Sequence, residues 1–163
     1  LARAGKILLK DCVGRMIRTE TRVGFTDCDP YGHVASARYL EMAINHRMSA
    51  VTEQLGFDTL KTAQESGVAF VNKEVNLKFQ SPAQFDQWLV IESWIDEARD
   101  YKLVVKVRIS DRETGKVVCR VTIQTVTFDI REGTPVSIPQ AFESVREVDL
   151  EALPWAPGHP RAE

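Results

Sequence analysis

Residues 24–42 read GFTDCDPYGHVASARYLEM, and the order of chain breakers and helix formers in that run decides how the remainder must be arranged. Pro30 disfavours helical backbone at Asp29, and Gly32 permits a turn that a residue with a Cβ resists. Residues 27–36 therefore read as a shaped loop. Ser36 is placed as an N-cap. Leu40, Ile44, Met48, Val51 and Leu55 follow at spacings of three and four until Gly56 supplies a stop. The sequence predicts one long amphipathic helix entered directly from an acidic loop.

Upstream, residues 16–25 place Thr21, Val23 and Phe25 on one side of a strand and Glu20 and Arg22 on the other. Downstream of a mixed connection at 57–67, Val71, Val75, Leu77 and Phe79 alternate with Glu74, Asn76 and Lys78 until Pro82 ends a second strand. Residues 88–95, 101–109 and 117–128 then read as three consecutive antiparallel strands. Short polar hairpin loops join them at 96–100 and 111–115. Beyond Gly133 strand character fades. Residues 140–148 suit a short helix, and 151–163 form a Pro-rich tail. One domain over 16–150 is expected, with 1–15 as an N-terminal extension and 151–163 as a C-terminal tail. A single striped helix and about five strands bury themselves by laying the helix against one sheet face, an α+β arrangement.

The chain has 163 residues, enough for one ordinary core, and a formal net charge of −2. That balance supplies no global basic field, so nucleic acid is not an expected partner. The three cysteines, Cys12, Cys28 and Cys119, lack CxxC spacing, which argues against a disulfide framework and a zinc site. Residues 7–9 are too short for a signal-peptide core, and no apolar run reaches the length of a membrane span. A reducing cytoplasm is the expected setting, with no membrane partner.

The element order, together with DCDPYGHV at 27–34 and EVNLKFQSPAQFDQWLVIES at 74–93, resembles the hotdog fold and its 4-hydroxybenzoyl-CoA thioesterase-like family over roughly residues 16–130. The resemblance implies a strand, the acidic loop, a long central helix and a four-stranded meander. It also implies hydrolysis of an acyl-CoA, aliphatic or aromatic, to the free acid and CoA, without a cofactor. The family's catalytic carboxylate falls on Asp29. Its oxyanion donor, a backbone N–H at the start of the helix, matches Ser36 by position. Many relatives read HVNN where this chain reads HVAS, and acyl-carrier-protein thioesterases place asparagine where Tyr31 stands. Family members pair subunits around the acyl site, which implies a homodimer or homotetramer.

These residue types suit the chemistry. A thioester needs a nucleophile at its carbonyl carbon and a stabiliser for the oxyanion, because thiolate leaves with little acid assistance. Asp29 can attack directly or deprotonate a water. The first turn of a helix presents N–H groups without internal partners at the positive end of the macrodipole. His33 is the second candidate, either orienting Asp29 or the substrate, or capping loop backbone. Asp27 reads as structural and Cys28 as a packing residue. Glu41 reads as an exposed helix charge, and His46 and Arg47 as surface or subunit-contact residues. Trp88, Trp94 and Phe79 read as core or sheet-packing residues. The histidines lack metal-ligand spacing, so no metal is expected. Two rival functions remain. A hotdog enoyl-CoA hydratase spaces its pair as DxNPxH, one residue wider than Asp29 and His33. A non-catalytic acyl-CoA-binding or sensing module would have no use for the retained acid.

Overall fold

The computed structural model describes residues 4–5, 9–143 and 148–149. Strand β1 (Ile17–Arg22) runs into a single 3-10 turn and the loop that ends at helix α1 (Ser36–Leu55). A second helix, α2 (Thr59–Ser66), precedes four long strands, β2 (Val68–Phe79), β3 (Trp88–Arg99), β4 (Lys102–Asp111) and β5 (Val117–Asp129). The antiparallel order across the sheet is β1-β3-β4-β5-β2, with residues 134–135 pairing on the end of β5. Strands β3 to β5 make the expected meander. Strand β2 departs from it, crossing to the far edge to pair with β5.

Alternation explains which face is buried. Ser93, Val107 and Val121 share one cross-strand row, flanked by the rows Ile91, Ile109, Cys119 and Ile95, Val105, Ile123. All of these are buried. The opposite face carries Glu92, Arg108 and Arg120 in register, with the Arg108 guanidinium donating to Glu92 Oε2 at 3.0 and 2.7 Å. One face is thus apolar and the other polar, as a sheet covered on one side requires. Helix α1 covers the apolar face.

The helix turns a different stripe inward from the one its apolar residues suggest. Tyr39, Ala43, His46 and Ala50 are buried along with Val51 and Leu55, whereas Met48 is half exposed. Small residues let the helix approach the sheet closely. The larger Ile44 and Met48 flank that seam. Ser36 is the first helical residue, and the N-cap is Ala35, whose extended backbone makes the entry without a side-chain cap. The 57–67 connection holds α2, where Asp58 Oδ1 accepts from the N–H of Lys61 at 2.9 Å. Strand β1 stops at Arg22, and Phe25 lies exposed in the following turn.

Of the predicted extension, Leu9–Cys12 form one helical turn and Gly14 donates to the Ile95 carbonyl at 2.9 Å, so this part is tacked onto β3. The predicted helix at 140–148 lies at Ile138–Glu143 instead. Val148 is extended and pairs with Gly5, while 144–147 and the tail 151–163 fall outside the described residues. Trp88, Trp94 and Phe79, expected in the core or packed on the sheet, lie on strands outside the buried core: Phe79 is exposed beside Tyr39, the Arg112 guanidinium covers the Trp88 ring at 4.6 Å, and Trp94 is partly buried.

Gly56 ends α1 at φ 70°, its N–H bonded to Thr52 O at 3.1 Å, and the next residue, Phe57, enters the core against Phe70 and Phe142. A side chain at this left-handed position costs about 1 kcal/mol. Gly56→Ala is therefore expected to lower the urea unfolding free energy by that amount. An unchanged midpoint and slope would show that the turn does not need glycine.

Candidate active site

The loop before α1 is built from backbone hydrogen bonds centred on its two acids. Asp27 Oδ2 accepts from the Gly24 N–H at 2.8 Å, and its carbonyl accepts from Ala35 N–H at 2.9 Å, closing the loop at its base. Its other oxygen lies 3.7 Å from Arg38 Nε. Asp27 is structural, as expected. Inside that frame, Asp29 N–H donates to His33 O at 2.8 Å and Asp29 O accepts from Gly32 N–H at 3.0 Å. Gly32 sits at φ 80°, the left-handed turn its lack of a Cβ allows.

The Asp29 carboxylate is half-buried and asymmetrically used. Oδ1 accepts the N–H groups of Tyr31 at 2.9 Å and His33 at 3.3 Å. No partner for Oδ2 is found among the described residues. One oxygen is thus anchored by the turn and the other is available. His33 meets Asp29 through its backbone amide rather than its ring. Ser36 is exposed, and its N–H and that of Ala37 precede the first amides with intrahelical acceptors. The loop is tied to residues 83–87: Val34 N–H donates to Ala83 O at 2.8 Å, Ala83 N–H donates to Tyr39 Oη at 3.1 Å, and the Phe25 and Phe85 rings meet edge to face at 6.0 Å. Cys28 packs against the core with its thiol 3.7 Å from Gly24 O, and Glu41 pairs with Arg38 on the helix surface.

A cavity of about 120 Å³ opens along the other half of α1, between Ile44, Met48, Val51 and Leu55 and the sheet residues Phe70, Leu103 and Ile123. Asp29, His33 and Ser36 do not line it. Arg47 does, and its neighbour His46 is buried in the helix-sheet seam. Of the two residues expected on the surface or at a subunit contact, His46 is buried and Arg47 is partly exposed. His46 Nδ1 lies 2.7 Å from Thr19 Oγ1 and Nε2 lies 2.8 Å from Ser93 Oγ, which also accepts from Arg47 Nη1 at 3.1 Å. Ser93 Oγ accepts from Arg47 and keeps a proton that it can donate to Nε2 of a neutral imidazole, the ring form that burial favours. In that tautomer the ring proton sits on Nδ1 and faces Thr19 Oγ1. Sequence reading missed this cluster because Thr19, His46 and Ser93 meet only through strand pairing and helix placement. Among the described residues there is no group of His, Cys, Asp and Glu able to hold a metal ion.

The family model described as the thioesterase-like superfamily matches residues 23–146. The long-chain acyl-CoA thioesterase FadM of Escherichia coli strain K12 is 25% identical over 115 residues, 71% of this chain and 85% of the relative. A 1,4-dihydroxy-2-naphthoyl-CoA thioesterase from Synechocystis superposes with a TM-score of 0.70 at 20% identity, covering 80% of this chain and 94% of that one. A probable thioesterase from Escherichia coli gives 0.68 at 22% identity, covering 80% and 98%. These structures share the hotdog fold with this chain.

Burial pulls the His46 pKa down from 6.5 to about 4, with the Arg47 charge adding to the effect. The unfolded chain therefore takes up a proton below pH 6.5 that the folded one refuses until about pH 4. Stability attributable to His46 is complete above pH 6.5 and falls by roughly 3 kcal/mol as pH drops to 4. Urea unfolding between pH 7 and pH 4.5 should show that loss, and His46→Gln should flatten it. An equally steep fall in the variant would assign the acid sensitivity elsewhere.

Proposed function

The chain belongs to the thioesterase-like superfamily, and on that premise we propose that it hydrolyses acyl-CoA thioesters to free acid and CoA with Asp29 as the catalytic carboxylate. The observation that carries this reading is the asymmetry at Asp29. Two turn amides fix Oδ1 while Oδ2 keeps its lone pairs for chemistry. Oδ2 either attacks the thioester carbonyl carbon, giving a mixed anhydride that water then opens, or removes a proton from a water that attacks the same carbon. In both routes the carbonyl π electrons move onto oxygen, return as the C–S bond breaks, and leave CoA as thiolate. The amides at Ser36 and Ala37 supply donors for the oxyanion at the positive end of α1. His33 positions Asp29 through its N–H and lends its ring to the substrate.

The similarity to a long-chain acyl-CoA thioesterase supports CoA as the thiol carrier. Strand β2 is a sheet edge whose residues from Asn72 to Glu74 are exposed, the kind of edge that invites pairing with a second copy. A homodimer, or a tetramer built from it, is accordingly proposed, acting in the cytoplasm. Sedimentation of the purified chain should give a dimer or larger species, and a fully active monomer would defeat the oligomer proposal.

Asp29→Asn keeps an acceptor for the Tyr31 and His33 amides while removing the charge. Thiol release from a panel of acyl-CoAs is expected to fall by about 10²- to 10⁴-fold in kcat with the circular dichroism spectrum retained. A variant as active as the parent would remove Asp29 from the mechanism.

A further inference from the structure

Among the described residues, Arg47 is a cation without an anion in the wall of an apolar cavity. Around it stand Met48, Val51, Phe57 and Phe142, with Phe70 and Leu103 from the sheet. Its one hydrogen bond among the described residues is the donation to Ser93 Oγ at 3.1 Å. Among the described residues, its one neighbour able to carry the opposite charge is Cys12, which also lines the cavity. That thiol is no counterion at neutral pH, because burial pushes its pKa up to about 11. Burial pulls the Arg47 pKa down to about 10, so the guanidinium remains protonated at neutral pH.

A guanidinium has five N–H donors in a planar fork that matches a carboxylate. Arg47 is partly exposed, so solvent reaches part of its fork, while the donors that face the apolar wall have a single neutral acceptor and are free to take a ligand. The cavity offers room beside it: aromatic rings at Phe57, Phe70 and Phe142 stand 5.0 to 6.3 Å apart at its end, and the half-exposed Met48 lies on its rim. Thr59, Asn72 and Thr125 supply further polar lining: Thr59 Oγ1 lies 3.9 Å from Met48 Sδ, and Thr125 Oγ1 is joined to Asn72 Oδ1 at 3.1 Å. The site is thus apolar with one fixed positive point, the arrangement of a receptor for an apolar acid.

We propose that this cavity binds a carboxylate carried on an apolar chain or ring, with the carboxylate paired to Arg47 and the carbon body against Met48, Phe57, Phe70 and Phe142. The carboxylate has two possible sources. It belongs either to a free carboxylic acid, such as the product that the proposed hydrolysis releases, or to the far end of a dicarboxylic acyl group still joined to CoA. The second source rests on the thioesterase reading, and the first does not. The recognition chemistry is the same for both.

The direct test is calorimetry on the full chain at pH 7.5 with octanoate and with octanol, which share a carbon chain and differ in the charged head. The parent should bind octanoate at least tenfold tighter, equivalent to about 1.4 kcal/mol. Arg47→Met should erase most of that preference and Arg47→Lys should retain part of it. A second arm compares kcat/KM for suberoyl-CoA and octanoyl-CoA, equal in carbon number but differing in the terminal carboxylate. A suberoyl preference that falls at least tenfold in Arg47→Met identifies the acyl chain as the source. An unmoved ratio, with octanoate inhibiting the parent more strongly than Arg47→Met, identifies the free acid. If no thioester is hydrolysed, the functional reading fails while the calorimetry still reports on the cavity. Should Arg47→Met not fold, the octanoate-to-octanol ratio of the parent against Arg47→Lys decides. Equal binding of acid and alcohol by the parent overturns the proposal.

Discussion

The structure depends on how closely α1 lies against the sheet. Ala43 and Ala50 are fully buried on the contact stripe, and between them His46 carries both ring nitrogens into the seam. A polar ring at such depth is tolerable only with partners on both sides. Strand β1 supplies Thr19 and strand β3 supplies Ser93, adjacent strands in the sheet. Apolar contacts alone would let a helix slide along a smooth sheet with little penalty. Two directional bonds from one ring fix its axial position, and with it the placement of both helix ends.

The two ends then serve different purposes. At the N-terminal end the loop is held by its own turn bonds and by residues 83–87, so Asp29 does not depend on α1 alone for its position. At the other end Gly56 turns the chain sharply and drops Phe57 onto Phe70 and Phe142, closing the end of the cavity. Ser36 and Arg47 are eleven positions apart on one straight element, about 16 Å at the rise of an α-helix. The acidic loop and the cavity-lining cation are therefore separate features along one helix, not parts of one cluster.

Much of this was legible in the sequence because it is local. Alternation located the strands, and the Pro30, Gly32 and Gly56 breakers bounded the loop and the helix. The place of Asp29 in a tight turn is legible from an acid before proline, whereas its catalytic role is implied only by the family resemblance. What escaped was tertiary in origin. The inward stripe of α1 runs through Ala43 and Ala50, which periodicity ranks below Leu40 and Met48, because close approach favours small residues over large ones. Helix α2 is short and its apolar content weak, so only its Asp58 cap and Gly67 stop mark it. The crossing of β2 to the far edge leaves no local trace, since pairing with β5 rather than β3 changes no alternation. His46 and Arg47 read as surface or subunit-contact residues because charge in a helix is usually solvated or paired across an interface.

That pair shows why neighbours in sequence take opposite charge states here. Successive residues on a helix point about 100° apart, so His46 enters the seam while Arg47 lies along the cavity. Both nevertheless meet the Ser93 hydroxyl. A hydroxyl oxygen has two lone pairs, but a protonated imidazole beside the guanidinium would set two positive donors on the one Ser93 oxygen. The Arg47 charge also disfavours a second positive charge beside it, in the same direction as burial. The guanidinium keeps its proton because its intrinsic basicity is far higher. The hydroxyl of Ser93 thus joins a neutral ring that locks the helix to a charged group that faces the cavity, and the seam can be sealed only if the positive charge stays on the cavity side.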